Sequence, residues 1–238
     1  MHIRTLPNLL LLTLLFSATA LQGQMMGFDE IDDSKVSPWI PKFTIEYGGV
    51  YHFGDSELES NFILILGLAD CYAQIESSNW SEDGRAWIQT YKNLTNVRIE
   101  GNKFYSDETD GEFVIYEGDQ GRLKGLKVFN PWSGVTDEGQ YEVGPTSYAL
   151  GDYFSGKFPH ASSRMLVEAE LLDLPKSELK IMRNEIFARY GYKFKPGGKM
   201  DSYFRQQGWY LAQHDDVNDF LTGIEKANIK LIRSLESR

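Results

Sequence analysis

The chain has 238 residues, with 24 Lys and Arg against 34 Asp and Glu and a net charge of −10. That balance excludes the dense basic surface that phosphate backbones require, so no nucleic-acid partner is expected. The only cysteine, Cys71, excludes an internal disulfide, and its place in an apolar alternating segment reads as a small buried hydrophobe.

Residues 1–20 read as a secretory signal peptide. Arg4 supplies the charged leader, residues 9–16 form an apolar core too short to span a bilayer, and Ala18 with Ala20 places cleavage before Leu21. No cysteine lies near that point, which argues against a lipid anchor. Beyond it no apolar run approaches 18 residues, so the mature chain is expected to be soluble, without a transmembrane segment, and secreted or periplasmic.

Residues 21–38 are polar, with Asp29, Glu30, Asp32 and Asp33 clustered, and read as a flexible arm. Their spacing does not follow a calcium-binding loop, and no metal is assigned to them. From Phe43 the period becomes two: Phe43, Ile45, Tyr47, Tyr51 and Phe53 share one parity, as in a half-buried strand broken at Gly48 and Gly49. Further short apolar segments fall at 62–66, 71–76, 86–91, 97–100, 112–116 and 123–129, separated by Asn-, Asp- and Gly-rich turns. This spacing predicts an antiparallel β meander over 39–130, curled into a barrel-like form or packed as a sandwich. Residues 131–158, rich in Gly and Pro, read as a linker or a loop packed across the domain join. Trp80 and Trp132 sit beside turn residues, where an indole is either a packing element or a face for stacking a sugar ring.

From residue 159 to 238 the pattern is helical, which makes the fold class α+β with a small helical C-terminal domain. Ser177 after Pro175 is placed to cap a helix, with Glu178 in its first turn. Leu179, Met182, Ile186 and Tyr190 form its apolar stripe, and Gly191 stands where a left-handed residue ends it. Glu185 and Arg189 are spaced for an ion pair, worth about 0.2–0.5 kcal/mol on an exposed helix face. Arg183 and Asn184 lie against the stripe, either facing a ligand or tying loops to the helix. A short helical turn over 200–206 follows, surrounded by Asp201, Tyr203, Phe204, Trp209 and Tyr210. Thr222 and Glu225 make a capping box opening a last helix, with Ile224, Ile229, Ile232 and Leu235 apolar and Asn228 polar on the inner edge.

The run from Arg183 to Phe194, R-N-E-I-F-A-R-Y-G-Y-K-F, followed by Tyr203-Phe204, Trp209-Tyr210 and the Glu225, Asn228, Ile229 spacing, resembles the YARHG domain, a module of extracellular bacterial proteins. The name-giving motif stands here as Phe187-Ala188-Arg189-Tyr190-Gly191, with Phe in the first place and Tyr in place of the usual His. The resemblance covers roughly 159–232. It implies an extracellular setting and structural roles for Phe187, Ala188, Tyr190, Gly191, Phe194, Tyr203, Phe204, Trp209, Tyr210, Glu225 and Asn228, and it implies no reaction. Replacing the motif's imidazole by a phenol weakens a general-base role at Tyr190.

No H-E-x-x-H, C-x-x-C, phosphate-loop or G-x-S-x-G pattern occurs, and no catalytic residue, metal ligand or cofactor is assigned. His214, Asp215, Asp216 and Asp219 are acidic neighbours in one loop, and consecutive loop residues rarely converge on one cation. The leading expectation is an exported, non-catalytic module for cell-envelope binding or assembly. Its partner would be peptidoglycan, another glycan or a protein, with Arg183, Asn184, Glu185, Arg189, Trp80 and Trp132 as binding candidates. A carrier holding an apolar small molecule inside the β-domain is the alternative. An envelope hydrolase accessory or enzyme ranks third, and it requires Arg183, Asn184, Glu185 and Arg189 to converge in an open cleft.

Overall fold

A computed structural model describes residues 32–67, 70–118, 121–129, 131–133 and 141–238. The expected signal peptide and most of the N-terminal arm lie outside the described residues.

The N-terminal part is an antiparallel sheet curled into a half-barrel. Its strands are β1 (Val36–Pro38), β2 (Gly49–Phe53), β3 (Ser60–Leu66), β4 (Cys71–Trp80), β5 (Trp87–Asn93), β6 (Arg98–Glu100), β7 (Lys103–Tyr105), β8 (Asp110–Gly118), β9 (Gly121–Val128) and β10 (Glu142–Tyr148). They run in the order β5-β4-β3-β2-β10-β9-β8-β7-β6, with β1 added beside β8. Two meanders, β2 to β5 and β6 to β10, are thus joined where β10 pairs with β2. One continuous sheet takes the place of the sandwich alternative, and β5 and β6 end it without pairing to each other.

Alternation along the strands gives the sheet two faces with different fates. Tyr51, Phe53, Phe62, Leu64, Phe113 and Leu126 fill the concave side. Val50, Ile63 and Ile65 point the other way and pack against Phe154 and Ile224 of the helical part. β3 is therefore buried on both faces, which accounts for its unbroken run Phe62-Ile63-Leu64-Ile65-Leu66.

Four elements depart from the sequence expectation. Residues 43–47 are not the start of a strand: Thr44–Tyr47 is a 3-10 turn, closed by the Glu46 amide on the Phe43 carbonyl at 3.0 Å. The Glu46 carboxylate also accepts from the Phe43 amide at 3.0 Å, and Phe43 and Ile45 are left exposed. Their alternation with Tyr47 was thus no sign of a sheet, because local side-chain capping outweighed it. β1 and β7 are three-residue strands, too short to show a period. β10 lies within 131–158 and runs through Gly144 and Pro145. Gly144 is required there, since a Cβ would come 2.4 Å from the Phe53 ring, and a register shift after Thr146 bends the strand.

The helical part comprises α1 (Leu150–Tyr153), α2 (His160–Ser163), α3 (Lys176–Arg189), α4 (Lys199–Phe204) and α5 (Gly223–Glu236). α3 begins two residues earlier than expected, with Pro175 as the cap and Ser177 inside the helix. The apolar stripe of α3 packs on α5: Leu179, Met182, Ile186, Ile229 and Ile232 are all buried, each contributing about 1.5–3 kcal/mol. α5 opens on the expected capping box, with Thr222 N donating to Glu225 Oε2 at 2.9 Å and Glu225 N to Thr222 Oγ1 at 3.3 Å. Asn228 is buried and holds the segment after α2, accepting from Leu166 N at 2.9 Å and donating to the Ala161 and Arg164 carbonyls. Phe194 stacks on Phe204 with ring centroids 4.9 Å apart, and the Tyr210 hydroxyl donates to the Tyr192 carbonyl at 2.6 Å. No helix among the described residues is long and apolar enough to cross a membrane.

Candidate functional site: a cleft between sheet and helices

The end of α3 sets one wall of the site. Tyr192 N bonds to the Phe187 carbonyl and Gly191 N to the Ala188 carbonyl, while Gly191 has φ +68°, a complete Schellman cap. The cap turns the chain so that the Gly191 carbonyl accepts from Gln213 N and His214 N, docking the 211–214 segment on the helix end. That segment in turn covers the edge of β5. The Gln213 amide donates to the Trp87 carbonyl at 2.9 Å and accepts from Gln89 N at 3.3 Å, and His214 Nε2 reaches the Gln89 carbonyl at 2.8 Å. Backbone groups that would otherwise be left open at a sheet edge are thus occupied.

The motif's charged residues serve the fold. Arg189 and Glu185 form a buried ion pair at 2.5 Å, not the exposed pair their spacing suggests. Arg189 also donates to the Ser155 carbonyl at 2.7 Å and Ser162 Oγ at 2.8 Å. Glu185 accepts from the Lys157 and Phe158 amides at 2.9 and 2.6 Å. The loop that wraps this carboxylate passes so close that a Cβ on Gly156, at φ +112°, would lie 2.4 Å from it. Burial pushes the Arg189 guanidinium below its ordinary value, and the Glu185 and Glu225 carboxylates oppose that shift. Arg183 reaches away to Glu236 on α5 at 3.1 Å, and the buried Asn184 donates to the Lys180 carbonyl of its own helix at 2.7 Å. The four polar residues of the motif therefore do not converge in a cleft, and only Arg189 borders one.

Of the two tryptophans, Trp132 packs on Phe53 and Phe62 and donates to Ser60 Oγ at 2.8 Å, as part of the concave core. Trp80 is 56% exposed at the tip of the β4–β5 hairpin. The concave interior holds the aromatic core cluster, and Leu66, Cys71, Val97 and Ile99, packed against that cluster, line a second cleft of about 380 Å³ at its edge.

A cleft of about 230 Å³ opens where β4 and β5 meet α1 and the end of α3. Gln74, Glu76, Gln89 and Tyr91 form its sheet side; Tyr153, Arg189, Tyr190 and Trp209 form its helical side. Glu76 is its carboxylate centre, accepting from the Tyr153 hydroxyl, from Gln89 Nε2 at 3.0 Å and from Asn61 Nδ2 at 3.2 Å. Tyr91 meets Tyr190 edge-on with centroids 4.7 Å apart, and the Tyr190 hydroxyl donates to Glu225 Oε2 at 2.7 Å. Burial, reinforced by these carboxylates, pushes the phenols of Tyr91, Tyr153 and Tyr190 well above their ordinary value, so all three stay neutral donors. Behind Tyr190, burial also raises the Glu225 carboxyl, opposed by the hydrogen bonds it accepts from Ser162, Thr222 and Tyr190. The arrangement offers aromatic faces, amide groups and one carboxylate to a ligand. Glycoside hydrolysis would need a second carboxylate facing Glu76 across the cleft, and Glu225 lies behind the Tyr190 ring instead. Among the described residues no group of three or more His, Cys, Asp or Glu is placed to hold a metal.

Sequence reasoning missed Gln74, Glu76, Gln89, Tyr91 and Tyr153. The signal of the four strand residues was present as polar and aromatic residues on the parity opposite the core in two adjacent segments, but it needed the β4–β5 register to be read as one site, and Tyr153 on α1 carried no such signal.

The molecule is thus a half-barrel with a helical domain docked on its convex face and a polar, aromatic cleft at the junction. The YARHG domain family model matches residues 155–237, so the C-terminal third of the chain is a YARHG domain, a typically extracellular domain without an assigned function. The match starts at Ser155 and so takes in the loop that wraps Glu185 and Arg189. No curated protein and no solved structure matches the chain.

Proposed function

We propose that this is an exported, non-catalytic protein of the cell envelope, secreted or periplasmic after cleavage before Leu21, which binds a glycan in the cleft between its sheet and its YARHG domain. The observation that carries the reading is the cleft's composition: Tyr91, Tyr153 and Trp209 supply aromatic surface, and Gln74, Gln89 and Glu76 supply hydrogen-bonding groups. Sugars combine hydroxyls with apolar ring faces, and this pairing of groups matches both. A volume of about 230 Å³ is below that of sites for drug-sized ligands and suits a single ring. The aspects of export rest on the leader sequence and on the usual setting of the domain.

Incubating the mature chain with insoluble peptidoglycan and sedimenting the mixture tests the reading. Retention in the pellet, reduced by Gln89→Ala together with Glu76→Gln, is expected. Protein that remains wholly in the supernatant removes peptidoglycan as the ligand, and indifference to the two substitutions removes the cleft.

A further inference from the structure

The cleft is not closed at its sheet end. In the β4–β5 pairing Gln74 faces Asn93, Glu76 faces Tyr91, Ser78 faces Gln89 and Trp80 faces Trp87. Alternation puts all of these on one face of the sheet. Two observations agree with this placement: Gln74, Glu76, Gln89 and Tyr91 all border the cleft, and Ser77 and Thr90, of the other parity, meet each other at 3.1 Å. The face therefore runs from Glu76 and Tyr91 in the cleft, past Ser78 and Gln89, to the two indoles at the hairpin tip. Four residues separate its ends, about 13 Å of strand.

Trp80 and Trp87 meet edge to face, with centroids 5.2 Å apart and planes at 73°. A cross-strand pair of this kind contributes to hairpin stability, which is the plain explanation for it. That explanation does not require Trp80 to be 56% exposed, nor the turn beyond it to be so firmly held. Ser81 Oγ accepts from Arg85 N at 3.2 Å and Ala86 N at 3.0 Å, and Ser81 N donates to the Ala86 carbonyl at 2.8 Å. An indole presented on a fixed turn, on the face that leads into a cleft, is pre-organised for stacking. Charge narrows the occupant. Glu76 is the carboxylate on this face, and Arg189 is neutralised by Glu185, so a charged sugar ring is disfavoured against this face.

We propose that the ligand is an uncharged linear polysaccharide, one ring seated in the cleft and the following rings lying along the outward face of β4 and β5 to stack on Trp80. This rests on the glycan reading above and adds chain length to it. Titration calorimetry with N-acetylglucosamine and with its linear β-1,4 tetramer separates the two. The tetramer is expected to bind roughly tenfold more tightly, the worth of one aromatic stack. Trp80→Ala is expected to bring the tetramer down to the level of the single sugar. Ser78→Arg, which keeps both indoles but fills the face between them and the cleft, is expected to do likewise at an unchanged melting temperature. Equal binding of the two sugars, with neither substitution having an effect, overturns the extended track while leaving the cleft reading intact. Binding of neither sugar to the wild-type chain removes both.

Discussion

Two glycines with nearly the same backbone provide a sharp test of how the C-terminal domain is held. Gly191 has φ +68° and Gly197 has φ +71°, so an alanine at either position carries the same left-handed penalty of about 1–2 kcal/mol. Their surroundings differ. A Cβ at Gly197 meets nothing within 4 Å, whereas at Gly191 it would sit 2.8 Å from the Leu211 carbonyl oxygen and 3.3 Å from Gln213 Cβ. Relieving that overlap moves backbone, not the end of a flexible side chain, and overpacking of this kind costs a further ~1–3 kcal/mol. Gly191→Ala is therefore expected to destabilise by about 2–5 kcal/mol and Gly197→Ala by only about 1–2. Urea denaturation followed by far-ultraviolet circular dichroism reads both, and the melting temperatures should move by about 2–4 °C per kcal/mol for a chain of this size. Equal losses in the two variants would refute the docking of the 211–214 segment on the α3 cap, and with it the account of how β5 is covered.

Arg189→Met leaves the buried Glu185 carboxylate without its cation and is expected to cost about 3–5 kcal/mol in thermal unfolding; a loss under about 1 kcal/mol would mean the pair is solvated. Trp209→Ala removes a half-buried ring that packs on Phe204 at 6.0 Å, so its cost should be about 2 kcal/mol, roughly half that of a fully buried indole. Peptidoglycan binding should be weakened at the same time, and intact binding would take Trp209 out of the site. Glu225 has its folded-state carboxyl raised by burial, so its contribution to stability is full below its ordinary value of 4.5 and declines as pH rises through the raised value. Glu225→Gln should remove that decline, so the stability of the wild type relative to the variant should fall on going from about pH 4.5 to neutrality; parallel curves would show that the carboxyl is not titrating in the fold.

What the amino-acid sequence disclosed and what it hid divide along the range of the interactions. Leu179, Met182, Ile186, Tyr190 and Gly191 are spaced within one helix, and the Thr222–Glu225 box within one turn, so their roles follow from local periodicity and cap chemistry. Segments 62–66 and 123–129 were readable for the same reason. β10 was hidden by Gly144 and Pro145, which signal a loop locally. The strand exists because Glu142 to Pro145 find partners in β9 and Thr146 in β2, and because Phe53 needs the space a glycine leaves. The cleft is hidden in the same way. Glu76 and Gln89 are thirteen residues apart, and Tyr153 is 77 residues from Glu76, so only the folded chain brings their groups together.

The motif and the cleft are connected, which constrains how function can be dissected. Each residue of Phe187 to Gly191 that faces inward is tied to the fold: Ala188 is packed in the small aromatic cluster, Arg189 holds the 155–162 segment, Tyr190 bonds Glu225 behind the cleft, and Gly191 turns the chain onto β5. Two of them, Arg189 and Tyr190, also form the cleft wall. Substituting the motif would therefore lower stability and binding together, and a loss of binding in such a variant says nothing about contact with a ligand. Glu76 and Gln89 stand on the opposite wall, on strands whose pairing is carried by backbone bonds. Substitution there removes groups from the cleft while the sheet keeps its ladder, so the ligand question is answered from the sheet side.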